Sequence, residues 1–207
     1  MNRSTIKREV DLQILADWVA PGSRILDLGC GRGILLEYLQ QTKQAYAVGV
    51  DSDGSKIVGC VKRGVPAYQG DILEMLSIYP EGYFDWVLCS RTLHELSDPK
   101  TIILKALNVG KHLAIGFVNY GFWLNRLSLL RHGQRALNEV YPEHWYQSRP
   151  SNPVNIKGFE SFCQTHNLII SRKVALQGDW KTTCCHWPNL MAGYAIYELK
   201  LGQSRPD

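Results

Sequence analysis

Three glycines, Gly29, Gly31 and Gly33, stand two residues apart in the stretch Asp27-Leu28-Gly29-Cys30-Gly31-Arg32-Gly33. Glycine has no Cβ, so it turns sharply and lets a ligand come close to the backbone. The apolar run Arg24 to Leu28 before it reads as a buried strand, and Ile34 to Gln41 after it reads as a helix. A glycine-rich turn between a strand and a helix is where doubly wound sheets take nucleotide-like ligands. A dinucleotide loop would read G-x-G-x-x-G, yet position 34 is Ile. The spacing G-x-G-x-G, with Asp27 two residues ahead, therefore argues against a nicotinamide cofactor. Asp51 closes the next strand, Ala45 to Val50. A carboxylate there can accept hydrogen bonds from both hydroxyls of a ribose.

The elements that must position these residues follow from pattern and punctuation. Ile6, Val10, Ile14, Leu15 and Trp18 have helical spacing over residues 6–19, and Pro21-Gly22 ends that helix. Asp53 can cap a helix running to about Arg63. Val65 to Gln69 is a third strand, ending at Gly70-Asp71, where Asp71 can also serve as a helix N-cap. Phe84 to Ser90 is a fourth strand. Asp98-Pro99 opens a helix to about Asn108, and Lys111 to Val118 is a fifth strand. This alternation predicts an α/β fold, a doubly wound and mostly parallel seven-stranded sheet with helices on both faces. Leu168 to Leu176 and Met191 to Leu199 read as closing strands, antiparallel at one edge. Residues 119–155 break the alternation. They are aromatic and arginine-containing, with one helical stretch from Trp123 to Leu130, and read as an inserted lid or partner surface in a single domain of residues 1–207.

Composition narrows the setting. The chain has 207 residues, 45% hydrophobic and 20% charged, which suits one domain with one sizeable core. No apolar run reaches the roughly 20 residues of a membrane span. The basic start is followed by no apolar signal core, so a cytoplasmic protein is expected. A net charge of +4 falls short of a nucleic-acid-binding signature. Arg126, Arg131, Arg135 and Arg149 favour RNA slightly, but Glu139 and Glu143 dilute that patch. The six cysteines are scattered without a C-x-x-C pair, so neither a disulfide framework nor a metal site is expected.

With the order strand, loop, helix, strand and acid in place, the stretch from Asp27 to Gly33 resembles motif I of class I S-adenosylmethionine-dependent methyltransferases. That resemblance implies a cofactor site at Asp27, Gly29, Cys30, Gly31 and Gly33, with Asp51 and Ser52 at the ribose. It further implies Asp71 and the backbone of Ile72 at the adenine, and Ser90 along the methionine part. S-adenosylhomocysteine would be the product. A sulfonium methyl is already a strong electrophile, so positioning supplies most of the catalysis and no triad is expected. His94, Asn119, Tyr120 and Tyr146 are the candidates for contact with a small-molecule acceptor.

Other stretches are similar to one family of that fold, the MetW-like proteins of methionine biosynthesis. They are Asp11 to Trp18, Gly22 to Gly31, Ser90-Arg91-Thr92-Leu93, Asn119 to Trp123, Trp145-Tyr146, Trp187 to Leu190 and Ala195-Ile196-Tyr197. The family is associated with homoserine O-acyltransferases, so such an enzyme is an implied partner. Against the family pattern, Arg32 stands where an acidic residue is usual, and Phe122 where His is common. Asn152-Pro153-Val154-Asn155 replaces the usual His-Leu-Cys-Thr stretch. Two readings stand: an active small-molecule methyltransferase, or a non-catalytic subunit or regulator of the acyltransferase.

Overall fold

A computed structural model describes residues 9–134 and 151–202 of the chain. Among these described residues, seven strands form one sheet: β1 (Arg24–Leu28), β2 (Tyr46–Asp51), β3 (Ala67–Gln69), β4 (Phe84–Ser90), β5 (Gly110–Val118), β6 (Leu168–Leu176) and β7 (Tyr194–Leu201). Their order across the sheet is β3-β2-β1-β4-β5-β7-β6. β1 pairs in parallel with both β2 and β4, and β4 with β5. β7 runs against both of its neighbours, β5 and β6. The expected antiparallel pair lies at the β6 edge, and its reversed member is β7, one place in.

The described residues form eight helices: α1 (Val10–Trp18), α2 (Ile34–Lys43), α3 (Gly54–Lys62), α4 (Ile72–Ile78), α5 (Pro99–Val109), α6 (Trp123–His132), α7 (Ile156–Thr165) and α8 (Pro188–Met191). Each strand sends alternate side chains to opposite faces, so the core is double. On one face Leu15, Leu36, Leu39 and Cys60 of α1, α2 and α3 meet Ile25, Leu88 and Ile196. On the other, Leu76, Ile103 and Phe159 of α4, α5 and α7 meet Leu26, Val87, Phe117 and Tyr197.

Local chemistry starts two helices where the sequence signals them: Asp53 accepts from Ser55 N at 2.9 Å and Asp98 from Thr101 N at 3.0 Å. Asn155 caps α7 in the same way, accepting from Gly158 N at 3.0 Å. Two helices escaped the pattern: α8, whose four residues end at Met191 and so move the start of β7 to Tyr194, and α4. α4 is seven residues long, too short for its period to stand out, and it starts directly after Asp71. β3 is shorter than its apolar run, because Val65 N–H still closes the turn leaving α3, donating to Cys60 O at 3.0 Å. Among the described residues no helix is long and apolar enough to cross a membrane. β1 and β4 stand side by side while the chain runs off in opposite directions from them, so a crevice opens beyond their carboxyl ends.

Candidate functional site

The glycine loop leaves β1 and folds over the end of β2. Gly29 N and Cys30 N both donate to Val50 O, at 2.8 and 3.0 Å. Gly29, Gly31 and Gly33 all have positive φ, a conformation that strains any residue with a side chain. Each has its own reason to be glycine. A Cβ at Gly29 would collide with Thr92, and one at Gly33 would press on Cys60 Sγ at 3.0 Å. A Cβ at Gly31 would meet nothing within 4 Å. Gly31 thus leaves open space over the loop, the shape a close-fitting ligand needs.

Two carboxylates underlie the loop. Asp51 is buried and accepts from Gly31 N and from Asp53 N, each at 3.0 Å, with Lys56 Nζ at 3.5 Å. An ionised carboxylate offers about four acceptor sites, so capacity remains for a ligand hydroxyl. Asp27 is buried beside it. Burial, and then the charge of Asp51, push the Asp27 carboxyl up to about 7. The same burial, with Asp27 nearby, raises the Cys30 thiol far above its ordinary range and keeps it protonated. Asp71 is the N-cap of α4, accepting from Leu73 N at 2.7 Å and Glu74 N at 3.2 Å, both through Oδ1. Capping thus uses one of its oxygens and leaves acceptor capacity on the other.

These groups surround a cavity of about 490 Å³ beyond the ends of β1, β2 and β4. Asp27, Gly29, Cys30, Gly31, Asp51, Ser52, Asp71, Ile72 and Ser90 all stand on its wall. Four of the expected site residues stand off this wall. Gly33 faces Cys60 and not the cavity, because α3 packs close beneath it. Asn119 is fully buried away from the wall: its amide donates to Pro188 O, Asn189 O and Ala192 O, and its oxygen accepts from Gly121 N and Ile156 N. It fastens the loop after β5 to α7 and α8. His94 is buried in the 3-10 turn Leu93–Glu95, with Nε2 at 3.8 Å from Glu95 Oε1, and does not line the cavity. Tyr120 is also off the wall, tied through its N–H to Val154 O. Tyr146 lies outside the described residues.

The wall has members that pattern reading missed: Glu9 and Leu12 at the start of α1, Lys56 on α3, and Arg91, Thr92, Glu95 and Ser97 after β4. Arg91 and Thr92 were within reach, since they directly follow the strand-end Ser90. Glu9 and Leu12 carry no local signal, as they reach the cavity only through packing of α1.

A family model for the methionine biosynthesis protein MetW matches residues 9–199. The chain belongs to the MetW family. Among characterised relatives, this MetW-family chain is 27% identical over 139 residues to a bifunctional methionine biosynthesis protein MetXA/MetW of Rhodopirellula baltica, which covers 63% of the chain and 22% of that protein. It is 31% identical over 96 residues to a ubiquinone biosynthesis O-methyltransferase of Hahella chejuensis, covering 44% of the chain and 40% of that enzyme. The chain thus spans well under half the length of these relatives. Solved structures agree on the fold. A possible histamine N-methyltransferase from Thermotoga maritima, described as S-adenosylmethionine-dependent, superposes with a TM-score of 0.69 at 15% identity, covering 94% of this chain and 88% of that one. An S-adenosylmethionine-dependent methyltransferase from Archaeoglobus fulgidus superposes with a TM-score of 0.61 at 17% identity, covering 96% and 95%. The MetW-family chain therefore has the class I methyltransferase fold.

Proposed function

We propose that this MetW-family protein binds S-adenosylmethionine in the cavity beyond β1, β2 and β4 and transfers its methyl group to a small molecule. The observation that carries the reading is the wall itself. It joins an open cradle at Gly31, a buried acceptor at Asp51 with spare capacity, a capped but half-engaged Asp71, and Ser90. These are the features a ribose, an adenine and an amino-acid tail each require. When bound, the cofactor supplies an electrophilic methyl group. The chain's residues have the remaining tasks. Asp51 would hold the ribose, Asp71 and Ile72 the adenine edge, and Ser90 the amino-acid end. The apolar side chains of Leu12, Leu35 and Ile102 would exclude water. The two acids Asp27 and Asp51 favour a cationic ligand. The reading carries a cytoplasmic setting, in keeping with six cysteines of which none is in a disulfide. Incubation with methyl-labelled S-adenosylmethionine and pooled small metabolites tests it. Label is expected in a small molecule; a protein that binds the cofactor yet labels none contradicts the transfer step.

A second reading, a subunit or regulator of a homoserine O-acyltransferase, is favoured by two observations. The relative from Rhodopirellula baltica joins MetXA and MetW in one protein. α6 buries none of its residues and leaves Trp123, Leu127 and Leu130 exposed at helical spacing, with Arg126 and Arg131 beside them. Such a stripe suits a protein partner, one of the two roles, lid or partner surface, expected of residues 119–155. Co-purification with the acyltransferase, and loss of it in Leu127→Glu, is the expected outcome. An acyltransferase that neither binds nor changes activity when this protein is added contradicts the reading.

A further inference from the structure

Arg91 is a strained residue with an unusually complete set of partners. It follows Ser90 at the end of β4 and has φ +59°, uncommon for a long side chain. Its backbone N–H donates to Gly116 O at 3.1 Å. Its guanidinium forms a fork on Asp11: Nε to Oδ2 at 2.7 Å and Nη2 to Oδ1 at 2.8 Å. Nη2 also lies 3.1 Å from Glu9 Oε2, and the guanidinium stands 5.7 Å from the centre of the Trp180 ring. Strain of this kind persists where surrounding contacts over-determine it, and it concentrates at functional sites.

The fork connects two parts of the cavity that are far apart in the chain. Arg91 and its neighbours Ser90 and Thr92 are on the wall, as are Glu9 and Leu12 on either side of Asp11. Asp11 itself is 1% exposed and does not line the cavity. The later half of α1 is anchored in the core by Leu15 and Ala16, with Val19 just beyond its end. In its first turn Val10 and Leu12 pack on the same core, and the ion pair adds the polar tie to the end of β4. A buried carboxylate left without its cation is strongly unfavourable, so the pair has two states, made or broken, and few between.

We infer that Arg91 is a positioning residue for the methyl-donor site: its fork on Asp11 latches the first turn of α1 over the cavity, so that latching and cofactor binding are coupled. This rests on the S-adenosylmethionine reading above. Coupling is reciprocal. A latch that raises affinity for the cofactor must in turn be tightened by it.

Calorimetry with S-adenosylhomocysteine on the wild type, Asp11→Asn and Arg91→Lys tests the inference, together with hydrogen exchange of residues 10–18 with and without that ligand. Asp11→Asn keeps shape and removes charge at a residue that does not line the cavity, so any change in affinity travels through the latch. Arg91→Lys keeps charge and loses the fork; since Arg91 itself stands on the wall, its deciding readout is the ligand's effect on α1 exchange, which carries the test where Asp11→Asn fails to fold. Both variants are expected to bind about fivefold weaker or worse. The ligand should slow exchange across α1 in the wild type and do so less in the variants. Variants that melt lower yet bind within about twofold of the wild type, with α1 exchange responding as before, would show a purely structural pair and overturn the inference. A wild type that binds no S-adenosylhomocysteine would overturn the cofactor reading and the latch with it; normal wild-type binding with unchanged variants would overturn the latch alone.

Discussion

At the scale of single residues, Gly31 and Asp27 carry the sharpest expectations. Gly31 has positive φ and open space where its Cβ would stand. Replacing it with Leu should cost about 1–2 kcal/mol of stability for the left-handed backbone. The side chain would then occupy ligand space, so calorimetry should find no binding while circular dichroism finds the fold intact. Asp27 titrates near 7 in the folded chain because burial and Asp51 disfavour its charge. Unfolded, it titrates at about 4. Between those values the folded state holds the extra proton. The stability this contributes is full below about 4 and is lost as pH rises through about 7. The melting temperature of the ligand-free protein should therefore fall across that window, and Asp27→Asn should flatten the fall. A cationic ligand prefers ionised Asp27. Affinity for S-adenosylmethionine should accordingly rise through neutral pH, and rise less in Asp27→Asn.

At the scale of elements, Asn119 shows what local reading cannot deliver. A polar side chain beside Tyr120 and after a strand end looks like site lining. Folding instead buries it and gives it five hydrogen bonds to Pro188, Asn189, Ala192, Gly121 and Ile156. Four of those partners lie more than 30 positions away in the chain, so no spacing rule could have found them. Asn119→Ala should lower stability by about 3 kcal/mol, since it leaves several buried groups unpaired. Denaturant unfolding checks this; a loss of ligand affinity at unchanged stability would contradict its role as a fastener of the loop. Asp71 was ambiguous for a related reason. One residue both follows a strand end and caps α4, and the two roles use the same carboxylate. The glycine loop was legible because every feature that defines it lies within 20 consecutive residues, 24–43: the strand, the turn residues and the following helix.

At the scale of the whole molecule, alternation along the chain announced a parallel sheet, and the acids at strand ends fell on one cavity because all parallel strands point their carboxyl ends the same way. What alternation could not announce is order. The position of β7 between β5 and β6 is set by the packing of Tyr194 and Ile196 on one face and Tyr197 and Leu199 on the other, contacts made with strands far off in sequence. The same distance hid the Arg91–Asp11 pair, whose members are 80 positions apart. Local signals thus mark where the ligand meets the backbone, and long-range packing decides what closes around it. Every role proposed for the cavity depends on that ligand. Titration calorimetry of the wild-type protein with S-adenosylhomocysteine is the most direct measurement. A single saturable site with micromolar affinity, abolished in Gly31→Leu, is the expected result; no heat of binding at millimolar ligand, from protein that is folded, would contradict the cofactor site.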